Sequence, residues 1–336
     1  MWAEVLSGLG PVISVVAPVA GPSASGSDEF VVLPSGDAAP TLPRLAQGLG
    51  LDRGRAVAAR VAHLAGGVDL VVAVRSYVGL LGVGLRDATG ARLVIDLDDD
   101  DASFFRSVGD EGEAARFQRL VDSVSRSADV VVSTQGIVGT RAVPNSVRIP
   151  ATVRVAKPGM QRIALVANMG FEPNAAGARW FIESVLPLVV ERVPGAELVI
   201  AGPGSESFAP FGRGYVADLD AVLGDAAVAI APIRHGSGTR IKILDAWAHG
   251  RAVVSTTVGA DGLGAVDGVH LLIADDAASF ARSIVRVLED ASLAASLGSA
   301  GRELVADRFS RRRVAADVRD MLCDTSIGDS ALVGRR

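Results

Sequence analysis

Cysteine is nearly absent: the chain of 336 residues carries one, Cys323. One cysteine makes no internal disulfide and no Cys-rich metal site. That fits a reducing compartment, and a cytoplasmic protein is the expectation. Long apolar runs are missing too. No stretch approaches the ~18 residues a membrane helix requires, although hydrophobic residues make up 49% of the chain. The net charge of −5 leaves no basic footprint for nucleic acid. Aromatics are 4%, so the core falls to Ala, Val, Leu and Ile. Lysine is scarce: of 33 basic residues only Lys157 and Lys242 are lysines. GC-rich coding accounts for the general preference for arginine, but not for where the two lysines stand. The first residues carry Glu4 and no Lys or Arg before the apolar stretch, which is the wrong start for a signal peptide.

The length suits two domains, and the high apolar and low charged content excludes disorder as the main state. Short Val/Ile/Leu runs recur at 12–16, 30–33, 70–74, 93–97 and 130–132. They are continuous rather than alternating, as in strands covered on both faces. Ala/Arg/Leu-rich stretches of helical spacing lie between them, so the pattern reads as α/β with parallel sheets. Residues 140–161 break the rhythm with three prolines and mark a domain junction. The rhythm then restarts, with strands at 162–167, 198–201, 228–231, 252–255 and 271–273 and a helix over 174–192. In that helix Ala178, Phe181, Ile182, Val185, Leu188 and Val189 form the apolar stripe. Asn174 is placed to cap it, and Pro187 should kink or break it. Residues 276–323 are helical in composition and 325–336 read as a frayed end. The expected domains are 1–150 and 151–309, with 310–336 as a final helix and tail.

In open α/β sheets ligands bind beyond the carboxyl ends of strands. The strand at 228–231 is followed by a small-residue loop, His235-Gly236-Ser237-Gly238-Thr239-Arg240, and a helix ended by Gly250. A helix N-terminus behind glycines favours an anion such as phosphate. Gly238, Lys242, Asp245 and His249 share one helical face. Arg240 shares it only if the helix starts loosely. The competing reading is a surface Lys–Asp pair on an ordinary helix. Asp96 and Asp98–Asp101 form a second candidate. Asp100 and Asp101 suit a helix N-terminus, while Asp98 and Asp99, nearer the strand end, suit a substrate. Oxygen ligands alone permit a metal there, though the spacing is not an EF-hand. His63 and His270 read as structural, and His235 is the histidine with a functional position. GxSxG, HExxH, CxxC and the P-loop pattern are all absent.

The motifs at 166–174, 214–219, 231–246 (with GSGTRIKILDA) and 253–263 together resemble retaining GT-B glycosyltransferases of family 4. The resemblance covers the second half; the first half matches weakly, at 93–99 and 143–147. It implies two Rossmann-like domains facing a cleft, an acceptor on the first and a nucleotide-sugar on the second, with a final helix returning to the first. It implies that Val216 and Asp218 lie near the base and that Gly236, Ser237, Gly238 and Thr239 meet the diphosphate. His235 and Asn168 border that site. Arg240 and Lys242 offset the charge, Asp245 holds the ribose, and Asp261, Gly262 and Leu263 line the phosphate and sugar pocket. Asp98 or Asp99 would contact the acceptor hydroxyl.

The chain departs from the family at several points. The family's two Glu eight positions apart are Ser237 and Asp245. Its Gly-Asn turn is Ala167-Asn168, which is strained if φ is positive there. Its first strand and Gly-rich loop do not precede residues 2–8, which implies a reduced first domain or an upstream start. Residues 133–142 are also short for the usual helix. The implied reaction is transfer from a UDP-, GDP-, ADP- or dTDP-sugar to a small-molecule, glycan or lipid-linked acceptor, with retention and without a cofactor or metal. A non-catalytic nucleotide-sugar-binding scaffold and a sugar-nucleotide epimerase are the alternatives.

Overall fold

The computed structural model describes residues 14–16, 30–32, 68–134, 137, 139–154, 159–236 and 240–323. The expectations for residues 2–8, His63, Lys157 and 325–336 lie outside them. The chain divides into two compact units, Met1–Pro144 with Ala315–Arg336, and Asn145–Val314.

In the first unit β1 (Ser14–Val16) pairs in parallel with β2 (Phe30–Val32). A four-stranded parallel sheet follows, in the order β3 (Leu70–Val74), β4 (Arg92–Asp96), β5 (Val130–Ser133) and β6 (Arg141–Ala142). The connecting helices are α1 (Gly79–Thr89), α2 (Asp101–Ser107) and α3 (Glu111–Ser125). Leu93, Ile95 and Leu97 are fully buried and pack with Val124 of α3 and Leu80 of α1.

The second unit is built on five parallel strands: β7 (Arg162–Val166), β8 (Glu197–Ala201), β9 (Val228–Ala231), β10 (Ala252–Ser255) and β11 (Leu272–Ile273). Their spatial order is β11-β10-β9-β7-β8. Both β8 and β9 therefore flank β7, and the strand order reverses between β7 and β9. That reversal is a topological switch point, where loops from the two neighbouring strands diverge and leave a crevice.

The helices are α4 (Glu172–Trp180), α5 (Leu186–Arg192), α6 (Leu219–Gly224), α7 (Ile241–Ala248), α8 (Thr257–Ala260), α9 (Ala277–Glu289), α10 (Ala291–Arg308) and α11 (Arg311–Cys323). The last begins in the second unit and ends in the first. Alternate strand residues feed two cores. Ile163, Leu165, Val228, Ile230 and Val254 meet Phe181 and Phe280 on one face. Ala164, Ala229, Ala231 and Val253 meet Leu244 and Trp247 on the other. The small residues on the second face let α7 lie close to the sheet.

Pro187 acts one turn earlier than expected. It has no N–H and its ring crowds the carbonyl four residues back. The chain relieves this with a π turn at Phe181–Val185, in which the Leu186 N–H reaches Phe181 O. The helix start also differs from expectation: Phe171 is the N-cap and Asn174 lies inside the first turn of α4. Gly250, at φ 66, terminates α7 as expected. Ala167 is not among the described non-glycine residues with positive φ, so the turn after β7 carries no such strain.

Candidate functional site

Three loops leave the carboxyl ends of β7, β9 and β10, and specific contacts tie them together. The first follows β7. Asn168 is exposed, and its side chain accepts from the Gly170 N–H at 2.9 Å, which tightens the turn into α4. The second loop, after β9, and the helix α7 that follows it meet α4 at three points. Gly236 has φ 110, a conformation that favours glycine, and a Cβ there would sit 3.3 Å from Pro173 Cγ. A Cβ on Gly177 would collide with the Pro232 carbonyl oxygen. Lys242 Nζ donates to Asn174 Oδ1 at 2.9 Å.

Arg240 is the N-cap residue of α7, with non-helical φ −84 and ψ 60. It therefore escapes the face argument that separates it from Lys242 in a regular helix. Its side chain is 5% exposed. Nη2 donates to Gly236 O at 2.9 Å and to Val258 O at 3.1 Å. The guanidinium thus clamps the β9 loop to the turn after β10. Thr256 adds a second tie: its hydroxyl accepts from Gly259 N–H at 2.9 Å and donates to Ile233 O.

Lys242 is half-buried in the first turn of α7. Burial, and then the neighbouring charge of Arg240, lower its ammonium to about 8. It remains largely protonated at neutral pH. The result is a positive charge beside a helix N-terminus at the switch point, poorly hydrated and therefore favourable to a bound anion. One turn on, burial pushes the half-buried Asp245 carboxyl up to about 6, against the pull of His249, Arg311 and Arg148.

The other sequence candidates fall in distinct places. His235 is half-buried in the β9 loop and Val216 is half-buried after β8. Asp218 is exposed, and its carboxylate caps α6 by accepting from the Ala221 N–H at 3.0 Å. Asp261 and Gly262 are exposed at the end of α8. Leu263 is 1% exposed and belongs to the core beneath α7, so its side chain does not line a pocket. Ser237, Gly238 and Thr239 lie outside the described residues.

The acidic run belongs to the first unit, at the ends of β3 and β4. Arg75, directly after β3, pairs with Asp98 at 3.0 Å and with Asp99 at 3.4 Å. Arg75 and Asp98 both hold positive φ, at 80 and 58. Asp100 caps α2 through the Ser103 N–H at 2.9 Å. Burial pushes the Asp101 carboxyl up to about 6, opposed by Arg75 and by a hydrogen bond from Ser76. The run is thus an ion-pair and capping cluster around one arginine. Among the described residues no group of three or more His, Cys, Asp and Glu is placed to hold a metal ion.

Sequence reasoning missed Arg75, Asn174 and a network under α7. In that network His249 Nδ1 lies 2.6 Å from Asp245 O and Nε2 lies 2.9 Å from Asp220 Oδ1. Hydrogen bonds from Arg148 and His249 hold the Asp220 carboxyl below its usual range. Arg75 was findable by the strand-end rule that located the β9 loop. Asn174 stood at a helix start and closed the 166–174 motif, and neither pointed to Lys242.

Residues 161–290, less than half of the chain, match the family described as Glycosyl transferases group 1. A 44.6 kDa uncharacterised protein of the cps region of Klebsiella pneumoniae is 23% identical over 172 residues, which cover 46% of this chain and 44% of that protein. The chain thus spans under half the length of this curated relative. Among solved structures, sucrose-phosphate synthase from Thermosynechococcus elongatus matches with a TM-score of 0.73 and 18% identity, over 95% of this chain and 90% of that one. HepE of Anabaena, solved in complex with UDP-glucose, matches with a TM-score of 0.59 and 16% identity, over 79% and 81%. At these identities the likeness is one of fold: two Rossmann-like α/β domains of the GT-B type. Among the described residues no helix is long and apolar enough to cross a membrane.

Proposed function

We propose that this chain is a GT-B glycosyltransferase of the family 4 type, moving a sugar from a nucleoside diphosphate sugar to an acceptor hydroxyl with retention at the anomeric carbon. The donor would occupy the second unit and the acceptor the first, in a cytoplasmic protein. One observation carries the reading. Lys242 holds a depressed, half-buried ammonium at the N-terminus of α7 and at the switch point of the sheet. The family match over residues 161–290 and the UDP-glucose complex of HepE support it.

The chemistry follows from the charges. As the bond from the sugar to the diphosphate breaks, the diphosphate keeps the electron pair and gains negative charge. Lys242 and the N–H groups opening α7 stabilise that charge in place, with little reorganisation. Arg240 acts by holding the loop that shapes the diphosphate site, through Gly236 and Val258. The acceptor oxygen then bonds to the anomeric carbon and its proton departs toward the leaving phosphate. Asp245 accepts from the ribose hydroxyls, and His235, Asn168, Asp261 and Gly262 border the donor.

The test is a thermal-shift series with UDP, GDP, ADP and dTDP on the full chain, followed by release of labelled sugar from the matching donor. One nucleotide should raise the midpoint, and Lys242→Ala should lose at least about 100-fold in turnover. Wild-type turnover in Lys242→Ala refutes the role of Lys242. Tight nucleotide binding without turnover in the wild-type chain favours a binding scaffold instead.

A further inference from the structure

We infer that Asn174 is a positioning residue for Lys242: its side-chain amide holds the ammonium against the switch point and keeps it charged there. The inference deepens the proposed function and rests on Lys242 as the cation of the diphosphate site.

Asn174 is 8% exposed, and both ends of its amide are used. Nδ2 donates to Asn168 O at 2.8 Å, and Oδ1 accepts from Lys242 Nζ at 2.9 Å. The partners fix which end is which. A carbonyl only accepts and an ammonium only donates, so the flipped amide would set oxygen against oxygen and NH2 against an ammonium. The residue bridges the turn after β7 to the helix after β9, the two loops that flank the strand reversal. Its position on α4 is itself held, because Gly236 rests on Pro173 and Pro232 rests on Gly177.

The bridge opposes two forces. Burial and the charge of Arg240 both favour neutral Lys242. Arg240 is the charged neighbour that acts on it, and it cannot accept a hydrogen bond. Asn174 Oδ1 favours the charged form without bringing a negative charge to a site that must admit a diphosphate. An aspartate in the same place would hold the ammonium more strongly but would repel that ligand.

Because the chain has only two lysines, the test can watch Lys242 directly. The full-length protein is labelled at lysine Cε and Nζ, and Lys242→Arg identifies which of the two signals is Lys242. Its titration midpoint is then followed by NMR in the wild type, Asn174→Leu and Asn174→Asp. The midpoint should fall by about one pH unit in Asn174→Leu and rise in Asn174→Asp. Affinity for whichever of UDP, GDP, ADP and dTDP raises the wild-type melting midpoint, measured by calorimetry, should fall about tenfold in Asn174→Leu. A purely structural role would lower stability in both variants without moving the midpoint in opposite directions. Asn174→Asp is nearly isosteric, so it keeps the test valid if Asn174→Leu unfolds. An unchanged titration midpoint in the folded variants overturns the inference, as does wild-type affinity of Asn174→Leu for that same nucleotide. If the wild-type chain binds no nucleotide, the proposed function fails separately, and the titration still decides the Asn174–Lys242 coupling.

Discussion

Gly177→Ala sets helix propensity against packing, and the two predict opposite signs. Gly177 lies in the middle of α4, so alanine there should stabilise the helix by about 1 kcal/mol. The neighbouring loop opposes this. An added methyl would fall inside the contact distance of the Pro232 carbonyl oxygen, with the carbonyl carbon only 3.1 Å away. That carbonyl has little room to retreat. The next residue, Ile233, is buried, and its N–H donates to Ala231 O at 2.9 Å. Its own carbonyl accepts from Thr256. Overpacking against so fixed a neighbour should cost about 3 kcal/mol, the upper part of the usual range. The net expectation is a loss of about 2 kcal/mol. Displacement of the Pro232 segment should also weaken nucleotide binding, because Gly236 and Arg240 follow it. Urea unfolding by tryptophan fluorescence reads the first effect, since Trp180 and Trp247 both lie in this unit. Ala176→Gly, at a half-buried neighbour, is the propensity control and should cost about 1 kcal/mol. If Gly177→Ala is instead more stable than the wild type, α4 does not brace the β9 loop as described.

Two further outcomes test the energetics beneath the site. Lys242 titrates near 8 in the folded chain and at its ordinary 10.5 when unfolded, so the unfolded state binds more protons between those values. Its penalty on stability is therefore fully present below pH 8 and is relieved as pH rises toward 10.5. Lys242→Met should gain up to about 3 kcal/mol at pH 7, less the cost of leaving Asn174 Oδ1 unpaired, and the gain should shrink by about 2 kcal/mol at pH 9.5. A pH-independent difference in urea unfolding would show that Lys242 carries no such penalty. Trp247→Ala should cost about 4 kcal/mol. The ring is fully buried, Gly301 makes room for it, and its Nε1 donates to His270 O at 2.9 Å. A loss below about 1 kcal/mol in urea would mean that the face under α7 repacks freely.

The local record in the sequence was good wherever one segment dictated its own state. Val228–Ala231 is a continuous apolar run, and it forms a strand buried on both faces. Gly250 ends α7 because only a residue tolerant of positive φ continues the chain there. The loop between them was legible as a turn into a helix from its glycine content and its place after a strand. Reading failed where a side chain's partner lies far along the chain. Asn174 looked like a cap because its sequence neighbours begin a helix, yet its partner Lys242 is 68 residues away. No local pattern announced that Asp98 and Asp99 pair with Arg75, which is more than twenty residues upstream. Leu263 looked like pocket lining because it follows Asp261-Gly262, yet the chain turns it into the core.

By itself the sequence determined the class of the protein: alternating α/β units, two of them, with a glycine loop and a lysine helix placed after one strand. Those features are local, since hydrophobic period, turn residues and helix caps act over a few residues. Only the tertiary structure decided that β8 and β9 flank β7, and hence that the turn after β7 faces the helix after β9. Strand order is a long-range choice made by the packing of the whole sheet. It turns an ordinary lysine and an ordinary helix-start asparagine into one hydrogen-bonded pair, with the asparagine buried, at the strand reversal.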